Sequence, residues 1–378
     1  MQLKDLVRVD DQNGLVIDGK LLANYQTIEI KPQKLKYYDV TEETTEIIKH
    51  NIEWAKTKKG SPKFQFIFLF LPTSCNQKCQ GCYMGQDKDR LPPNISGPFF
   101  DKTTLDNIIK FAKDHGAKSI IYAGGGELFT WPLAMQMIEY LKEQGLRMVI
   151  FTNGTLLTEK MIAHLNELEV SLIFSLRDTV EKYHDQNVQF RGFAHIIKAI
   201  DWAIENGMNT DSRLSVEIPV TLNNENRVLT DLLPVLRSLK IVPWIEEFIN
   251  MSVTEEENQN CHTFDQSREF FKKAAAADAA LGINWSPEFG QRIINHPKCS
   301  RTQYSFGIYP SGDVFACPIR DKNFGNIYKN SLTEIIYSDK VRQAILNYQY
   351  CPCSVFYTKD DQEIPIDLPI FLENKKSA

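Results

Sequence analysis

The stretch FIFLFLPTSCNQKCQGCYMG, residues 66–85, joins a hydrophobic segment directly to three cysteines. Residues 66–71 are apolar, few in number and closed by Pro72, which predicts a buried strand. Cys75, Cys79 and Cys82 follow on one loop. A structural zinc site normally has four ligands. Three thiolates without a nearby fourth Cys or His leave a coordination position open, as on an iron–sulfur cube that keeps one iron for an external ligand. The stretch therefore predicts a reactive metal site at the end of a strand.

The bulk composition sets the class of protein. The chain has 378 residues, 43% of them hydrophobic, which is enough for one large core and a smaller appended unit. No apolar run has the length of a bilayer span, and the N-terminus lacks the basic and apolar regions of a signal peptide. We expect a cytoplasmic protein with no membrane contact. The net charge of −5 is spread without a basic stripe, which argues against a nucleic-acid partner.

The cysteines fall into two groups. Disulfides are rare in a reducing compartment, so eight cysteines in a cytoplasmic chain indicate metal or redox chemistry. Cys261 stands alone. The other seven are Cys75, Cys79 and Cys82 in the first group, and Cys299, Cys317, Cys351 and Cys353 in the second.

From residue 65 onward, strand-like and helix-like segments alternate in six units. The strand candidates are FIFLFL, SIIYAGGGE, RMVIFTNG, VSLIFSL, LSVEIPVTLNN and WIEEFINM. Such alternation predicts an α/β fold of parallel strands with helical crossovers, either a barrel or an open sheet, and six units rather than eight favour a partial parallel β/α barrel. We expect an N-terminal extension at 1–60, this barrel at 61–285, a small cysteine-rich domain at 286–360 and a tail at 361–378.

The extension is predicted to hold a β-meander, with turns at Asn13-Gly14 and Asp18-Gly19, followed by a capped helix. It would act as a lid over the open side of the barrel or, alternatively, as a substrate-docking element.

Unusual polar stretches follow the first four strands. Chemistry in parallel α/β folds gathers at the carboxyl ends of the strands. The three cysteines follow the first strand, GGGE (124–127) the second, TNG (152–154) the third and SLRD (175–178) the fourth. We expect these stretches to share one rim. The glycines do not form G-x-G-x-x-G, which argues against a nicotinamide enzyme.

The first cysteine group, CNQKCQGCY, resembles the CxxxCxxC signature of the radical S-adenosylmethionine (radical SAM) superfamily. The resemblance implies a 4Fe-4S cluster on Cys75, Cys79 and Cys82, whose open iron binds SAM. It also implies reductive cleavage of SAM to a radical that abstracts hydrogen from an unactivated C–H bond. The family usually has an aromatic residue just before the third cysteine. Here that position is Gly81, and Tyr83 follows as a candidate cofactor contact.

The other rim stretches carry further resemblances. Gly125, Gly126 and Glu127 resemble the family's Gly-Gly-Glu-Pro motif, with Leu128 in place of proline, and imply contacts to the ammonium group of SAM. By the same resemblance, Asn153 and Ser175 would make polar contacts to SAM, the serine to its ribose, and Arg191 would reach its carboxylate. The residues themselves leave open ordinary turns or caps for the first two and a surface position for Arg191.

The second cysteine group resembles the start of SPASM and Twitch auxiliary-cluster domains. Cys299, followed by Gly312 and Cys317, carries the resemblance, with IYPSGDVFACP as a hairpin and FGNIYKNSLTEI leading into a helix. With Cys351 and Cys353 the group has four cysteines, enough for one second 4Fe-4S cluster, a Twitch-like arrangement. A four-cysteine zinc site is the alternative, since sulfur ligation alone does not separate the two.

These resemblances imply an oxidoreductase-type radical SAM enzyme that carries out a net oxidation or cross-linking of a peptide. It would use a reductant such as flavodoxin or ferredoxin, and a precursor peptide as substrate. Two alternatives stay open, a radical SAM dehydrogenase or rearrangement enzyme for a sugar, nucleoside or cofactor precursor, and a non-catalytic zinc-stapled binding protein. An oxidation needs a proton acceptor, and of the adjacent strand residues Glu246 and Glu247 at most one would face inward.

Overall fold

Nine strands form one sheet in the computed structural model, which describes residues 1–24, 34–37, 42–71, 74–82, 101–248, 260–283, 301–316 and 323–346. Six of them are parallel and neighbour one another in chain order. They are β3 (Phe66–Leu69), β4 (Ser119–Tyr122), β5 (Arg147–Thr152), β6 (Ser171–Ser175), β7 (Leu214–Val220) and β8 (Val242–Glu247). The predicted α/β fold with six parallel strand–helix units is confirmed.

The central strands are apolar because both faces of the sheet are covered. Every residue of β3 and β4 is buried, as expected for parallel strands packed between helices. The pairing of Phe66 with Ser119 and of Ile67 with Ile120 sets the register. This register brings the carboxyl ends of neighbouring strands to a common edge, from which the cysteine loop leaves.

Helix α1 (Glu42–Thr57) precedes β3, and α9 (Phe264–Ala280) follows β8. The crossover helices between the parallel strands are α2 (Lys102–Asp114), α3 (Ala134–Glu143), α4 (Glu159–Glu167), α5 (Glu181–Val188), α6 (Phe193–Glu205), α7 (Glu225–Arg227) and α8 (Leu233–Ser238). Asp101 caps α2 by accepting a hydrogen bond from the Thr104 amide. A π-helical turn, Val228–Leu232, joins α7 to α8 just before Pro234, which has no amide hydrogen to continue the α pattern.

The C-terminal segment extends the barrel sheet rather than forming a separate layer. Strand β9 (Gly307–Ile308) pairs parallel with β3, and β10 (Asp313–Phe315) and β11 (Asn323–Asn326) continue antiparallel. The hairpin predicted in IYPSGDVFACP is confirmed, with Gly312 at φ +82° in its turn. Two short helices follow, α10 (Leu332–Ile336) and α11 (Asp339–Leu346). The ring of Tyr309 stacks on Phe70 with centroids 4.3 Å apart, which ties this segment to the barrel.

The N-terminal residues pack on the outside of the barrel. Strands β1 (Val7–Asp10) and β2 (Gly14–Ile17) form a hairpin whose turn ends at Gly14, as predicted. The second predicted turn instead begins a 3-10 helix, Gly19–Asn24, and any third strand would lie in 25–33, outside the described residues. The hairpin contacts the segment before α5, where the Ile17 amide donates to the Thr179 carbonyl.

Residues 34–37 lie against the amino-terminal end of the parallel strands. The hydroxyls of Ser119 and Ser171, the first residues of β4 and β6, donate to the carbonyls of Tyr37 and Lys36. The described part of the extension therefore lies beside the outer helices and at the amino-terminal end of the strands. None of the helices in the described parts of the chain is both long and apolar enough to span a membrane.

Candidate active site at the strand rim

The cysteine loop, residues 74–82, leaves the sheet after β3 and is fastened by its backbone. The Glu127 amide donates to the Ser74 carbonyl at 2.8 Å. The amides of Lys78 and Gln80 donate to the last two carbonyls of α5, at 3.0 and 2.9 Å. The loop is therefore held between the turn after β4 and the end of α5, so the predicted rim is assembled from distant segments.

The surroundings of Gly81 account for the absence of an aromatic residue before the third cysteine. Its φ is +64°, and a Cβ there would stand 2.0 Å from the ring of Phe248, which follows β8. No side chain fits that space unless the ring moves. The ring of Phe248 thus packs against the cysteine loop at Gly81.

The GGGE turn after β4 uses glycine for its backbone conformation. Gly124, Gly125 and Gly126 have φ values of +136°, +106° and +141°. These conformations strain any residue with a Cβ. The three glycines therefore let the chain turn sharply at the rim and leave bare backbone there for a ligand to approach.

Glu127 is buried, and its carboxylate accepts hydrogen bonds from within the fold. The donors are the Thr152 hydroxyl at 2.9 and 3.0 Å, the Asn153 amide at 2.7 Å and the Phe129 amide at 3.3 Å. Burial raises the pKa of Glu127 to about 7, although the hydrogen bonds pull it down. The carboxylate thus joins the turn after β4 to the end of β5. Its predicted contact with the SAM ammonium stays a prediction.

Asn153 connects the TNG stretch to the cysteine loop. Its side-chain amide donates to Asn76 Oδ1 at 2.9 Å, and Asn76 in turn donates to the Thr155 hydroxyl at 2.8 Å. The Thr155 amide and hydroxyl both donate to Asn153 Oδ1. This closed set of three side chains orients the stretch between Cys75 and Cys79.

The end of β6 brings further charged groups to the rim. Ser175 pairs in register with Glu217 on β7, and Arg177 lies two residues beyond it. Burial raises the pKa of Glu217, with Arg177 opposing and the charge of Glu246 adding to the shift. Glu246, exposed on β8, is the other carboxylate that acts on Arg177.

Glu247 faces the other way from Glu246. It is buried and accepts a hydrogen bond from the Ser267 hydroxyl on α9, at 3.4 Å. Of the two candidate proton acceptors, Glu246 is therefore the one on the side of Glu217 and Arg177.

Arg191 lies close to this rim, because the neighbouring Gly192 packs against Thr155, and its predicted contact with the SAM carboxylate stays a prediction. Arg191 is exposed on the loop between α5 and α6. Tyr83 lies outside the described residues, as do all four cysteines of the second group, Cys299, Cys317, Cys351 and Cys353.

A family model described as the radical SAM superfamily matches residues 69–230, which begin at the end of β3 and run through the rim stretches. Residues 69–230 are a radical SAM domain. A second model, described as the iron–sulfur cluster-binding SPASM domain, matches residues 299–355. The radical SAM domain binds a 4Fe-4S cluster and SAM, and the SPASM domain is an additional iron–sulfur domain. This match favours an iron–sulfur cluster over zinc for the second cysteine group.

Known relatives cover parts of the chain. It is 31% identical over 169 residues to the tungsten-containing aldehyde ferredoxin oxidoreductase cofactor-modifying protein of Pyrococcus furiosus, which is 42% of this chain and 45% of the relative. It is 25% identical over 284 residues to the subtilosin biosynthesis protein AlbA of Bacillus subtilis, 71% of this chain and 58% of AlbA. The chain thus spans about half the length of these curated relatives.

Among solved structures, SuiB of Streptococcus suis bound to the precursor peptide SuiA superposes with a TM-score of 0.59 at 15% identity, over 87% of this chain and 78% of SuiB. This likeness shows that the two proteins share a fold.

The donor set of the cysteine loop fits a cube that keeps one iron open, because Cys75, Cys79 and Cys82 are free thiols on one short loop. In a cube each cysteine binds a different iron, so the three thiolates stand farther apart than the ligands of one zinc. When bound, the cluster and SAM supply a hydrogen-abstracting radical, while the chain orients the ligand and excludes water.

The electrostatics of Cys75 and Cys79 agree with this fit. Burial raises the pKa of Cys75 to about 12, and the charges of Cys79, Glu127 and Cys82 add to the shift, with the Gln77 amide opposing. Burial also raises the pKa of Cys79, with Arg177 opposing. Without a metal, Cys75 and Cys79 are therefore protonated at neutral pH, and forming their thiolates requires the positive charge of bound iron.

Two charged residues at the rim, Arg177 and Glu217, were not predicted. Arg177 follows Ser175 in SLRD, and Glu217 lies in the apolar strand LSVEIPV. A charged residue inside a strand that is otherwise buried is itself a signal, because burying an unpaired charge is costly. The contact between Asn76 and Asn153 could not be predicted from the sequence, because it depends on how two loops meet.

Proposed function

We propose that this radical SAM enzyme carries out a net oxidation or cross-linking of a peptide, with Cys75, Cys79 and Cys82 holding the SAM-binding cluster. The observation that carries the proposal is a three-thiol loop at the rim of the parallel strands, combined with a SPASM match at 299–355. A second cluster with all its ligands supplied by the chain would accept the electron that remains after hydrogen abstraction, which makes an oxidation the natural outcome. We assign Cys299, Cys317, Cys351 and Cys353 to that cluster.

The peptide substrate is supported by relatives. AlbA is a protein of bacteriocin biosynthesis, and SuiB was solved with a precursor peptide. A small precursor peptide is therefore the substrate we propose, with flavodoxin or ferredoxin as the reductant and the reducing cytoplasm as the compartment. We also propose the divisions 1–60, 61–285, 286–360 and 361–378 as working domain boundaries.

The experiment has two stages. The first is anaerobic purification, iron and sulfide analysis, and reduction in the presence of SAM, with 5′-deoxyadenosine as the measured product. The second adds short peptides encoded beside the gene and follows their masses for the loss of two hydrogens. Formation of 5′-deoxyadenosine without any peptide product would leave the radical SAM assignment intact and remove the peptide proposal.

A second candidate is oxidation or rearrangement of a small molecule or cofactor precursor. The observation that favours it is the 31% identity to a cofactor-modifying protein, the higher of the two identities reported above. Hydrogen transfer from a deuterated small molecule into 5′-deoxyadenosine, with no such transfer from peptides, would select this candidate.

A further inference from the structure

Gln77, between the first two cysteines of the loop, has a buried side-chain amide whose donor is unused. The residue is 4% exposed, whereas Lys78 and Gln80 on the same loop are exposed. Its Nε2 atom has no hydrogen-bond partner among the described residues. A buried N–H without an acceptor costs free energy. This N–H is therefore available to a group that joins the site when iron is bound.

The other atom of the same amide contacts a metal-ligating cysteine. The Cys79 thiol donates to Gln77 Oε1, with sulfur and oxygen 3.5 Å apart. The backbone amide of Gln77 also donates toward the sulfur of Cys75. Gln77 thus contacts two of the three cysteines, one through its side chain and one through its backbone.

Iron binding reverses the hydrogen-bonding role of Cys79. A cysteine that binds iron is a thiolate, which has no proton to donate and accepts hydrogen bonds instead. Gln77 Oε1 would then face a negatively charged sulfur, which is unfavourable. A half-turn of the amide about its last side-chain bond exchanges oxygen and nitrogen. The half-turn brings the unused Nε2–H to the Cys79 sulfur.

The residues on both sides of Gln77 hold it in place. Asn76 Oδ1 accepts from the Asn153 side-chain amide at 2.9 Å, and the Lys78 amide donates to the Val188 carbonyl at 3.0 Å. An aliphatic side chain would fill the buried space without the cost of burying a polar group. A glutamine held in advance at this position therefore indicates a use for its N–H.

We propose that Gln77 donates an N–H···S hydrogen bond to the iron-bound Cys79 thiolate and thereby makes the SAM-binding cluster easier to reduce. The inference deepens the proposed function, since it rests on a cluster held by Cys75, Cys79 and Cys82. Reduction adds one electron, supplied by the flavodoxin or ferredoxin, and changes no bond and no proton. The added charge makes the ligating sulfurs better acceptors, so the hydrogen bond stabilises the reduced state more than the oxidised state.

The test compares Gln77→Met with Gln80→Met. Methionine is an unbranched side chain like glutamine but has no N–H donor. Gln80 is the matched control, because its side chain lies exposed on the same loop. Each anaerobically reconstituted protein is titrated with a graded series of potentials. The reduced SAM-binding cluster is followed by the part of its electron paramagnetic resonance signal that changes when SAM is added.

We expect the ratio of reduced to oxidised cluster at a fixed potential to fall roughly 3- to 10-fold in Gln77→Met, and a tenfold fall is about 59 mV for a one-electron couple. Gln80→Met should keep the wild-type potential. Iron content and thermal melting show whether each variant has folded and loaded its clusters. A merely structural role of Gln77 would change melting or loading and leave the potential of the loaded cluster unchanged.

A second measurement detects the contact itself in the wild-type protein, so it does not depend on the loading of a variant. Protein whose glutamine side-chain nitrogens carry a distinct nitrogen isotope is reduced and measured by pulsed electron paramagnetic resonance. The labelled nitrogen should couple weakly to the reduced cluster, because an N–H···S bond places it beside a ligating sulfur. The coupling should persist in Gln80→Met and disappear in Gln77→Met.

Two results would overturn the inference. One is a potential that is unchanged or raised in a fully loaded Gln77→Met protein. The other is the absence of any coupling from labelled glutamine in the reduced wild type. A wild-type protein that holds no cluster on Cys75, Cys79 and Cys82 would overturn the proposed function and the inference with it, so the two failures are distinguishable.

Discussion

Asp211 and Glu169, at the amino-terminal end of the parallel strands, are paired with cations, whereas Glu127 and Glu217, at the carboxyl-terminal end, are buried and have raised pKa values. Burial alone would raise the pKa of Asp211, just before β7, but hydrogen bonds from Arg213 and Lys36 lower it. Glu169, just before β6, is also held below its ordinary pKa, by Lys142 first. Glu127 and Glu217, at the other end, have raised pKa values because burial dominates.

The amino-terminal end of the sheet therefore contributes to stability, and the carboxyl-terminal end is where we expect function. The paired groups at the amino-terminal end favour the folded chain at neutral pH. The rim instead holds three thiols, two carboxylates with raised pKa values and the Arg177 guanidinium. Perturbed groups of this kind gather where a ligand or a reaction will use them. Substitutions at the two ends of the sheet should therefore differ in effect, from loss of SAM cleavage at the rim to a small change in stability at the amino-terminal end.

Replacing Cys75, Cys79 and Cys82 together by alanine should abolish SAM cleavage, because no thiolates remain to hold the cluster. Iron analysis should show the loss of one cluster, and 5′-deoxyadenosine should fall to background. Cys261→Ser is the control and should keep both. Residual cleavage in the triple variant would mean that the cluster is held elsewhere.

Glu127→Gln should lower the free energy of unfolding by about 1–3 kcal/mol. The new amide group faces either the Asn153 or the Phe129 amide, both donors, so one buried hydrogen bond is lost. Denaturant unfolding measures the change. Glu46→Gln, on an exposed face of α1, should change stability far less. Equal effects of the two variants would contradict the structural role of Glu127.

Acidification from pH 7.5 to 5.5 should stabilise the wild type relative to Glu127→Gln. The pKa of Glu127 is 4.5 ordinarily and about 7 in the folded chain, so between these values the folded chain holds a proton that the unfolded chain has released. The contribution of Glu127 to the free energy of unfolding is complete below pH 4.5 and is lost as the pH rises through about 7. Thermal melting of both proteins across this range measures the difference, and parallel curves would refute the raised pKa.

Asn76→Ala should cost about 1 kcal/mol and speed the loss of iron to a chelator, because the side chain joins Asn153 to Thr155 beneath the cysteine loop. Asn13→Ala removes a similar contact, to Asp10 in the β1–β2 hairpin. It should leave the rate of iron loss at the wild-type value. Equal rates of iron loss in both variants would show that the network does not order the loop.

Asp211→Asn should have the smallest effect, below about 1 kcal/mol, because the side chain is 45% exposed and solvent screens its ion pairs. SAM cleavage should be unchanged, since Asp211 lies at the end of the sheet opposite the cysteines. A large loss of SAM cleavage in Asp211→Asn would contradict the proposal that the amino-terminal end of the sheet serves stability and not catalysis.

Several parts of the fold follow from local patterns. The six parallel strands, the hairpin at Gly312 and most crossover helices were predictable because their hydrophobic periodicity and turn residues are local. Helix α5 was not predicted because it is short and mostly polar. Strand β9 was not predicted because two residues are too few to show a periodic pattern. The second turn of the N-terminal meander was wrong, since Asp18-Gly19 begins a 3-10 helix.

The sequence by itself determined the α/β class, the position of the cysteine loop after the first barrel strand and the glycine turn after the second. These features follow from the order of residues along the chain, because the residues that come directly after each parallel strand lie at the same edge of the sheet. Only the tertiary structure decided that Phe248 packs at Gly81, that Glu127 is turned into the fold and that Asn76 and Asn153 meet beside the cysteines. These outcomes depend on side chains from separate segments meeting in space, where packing and burial rather than local pattern select the neighbours.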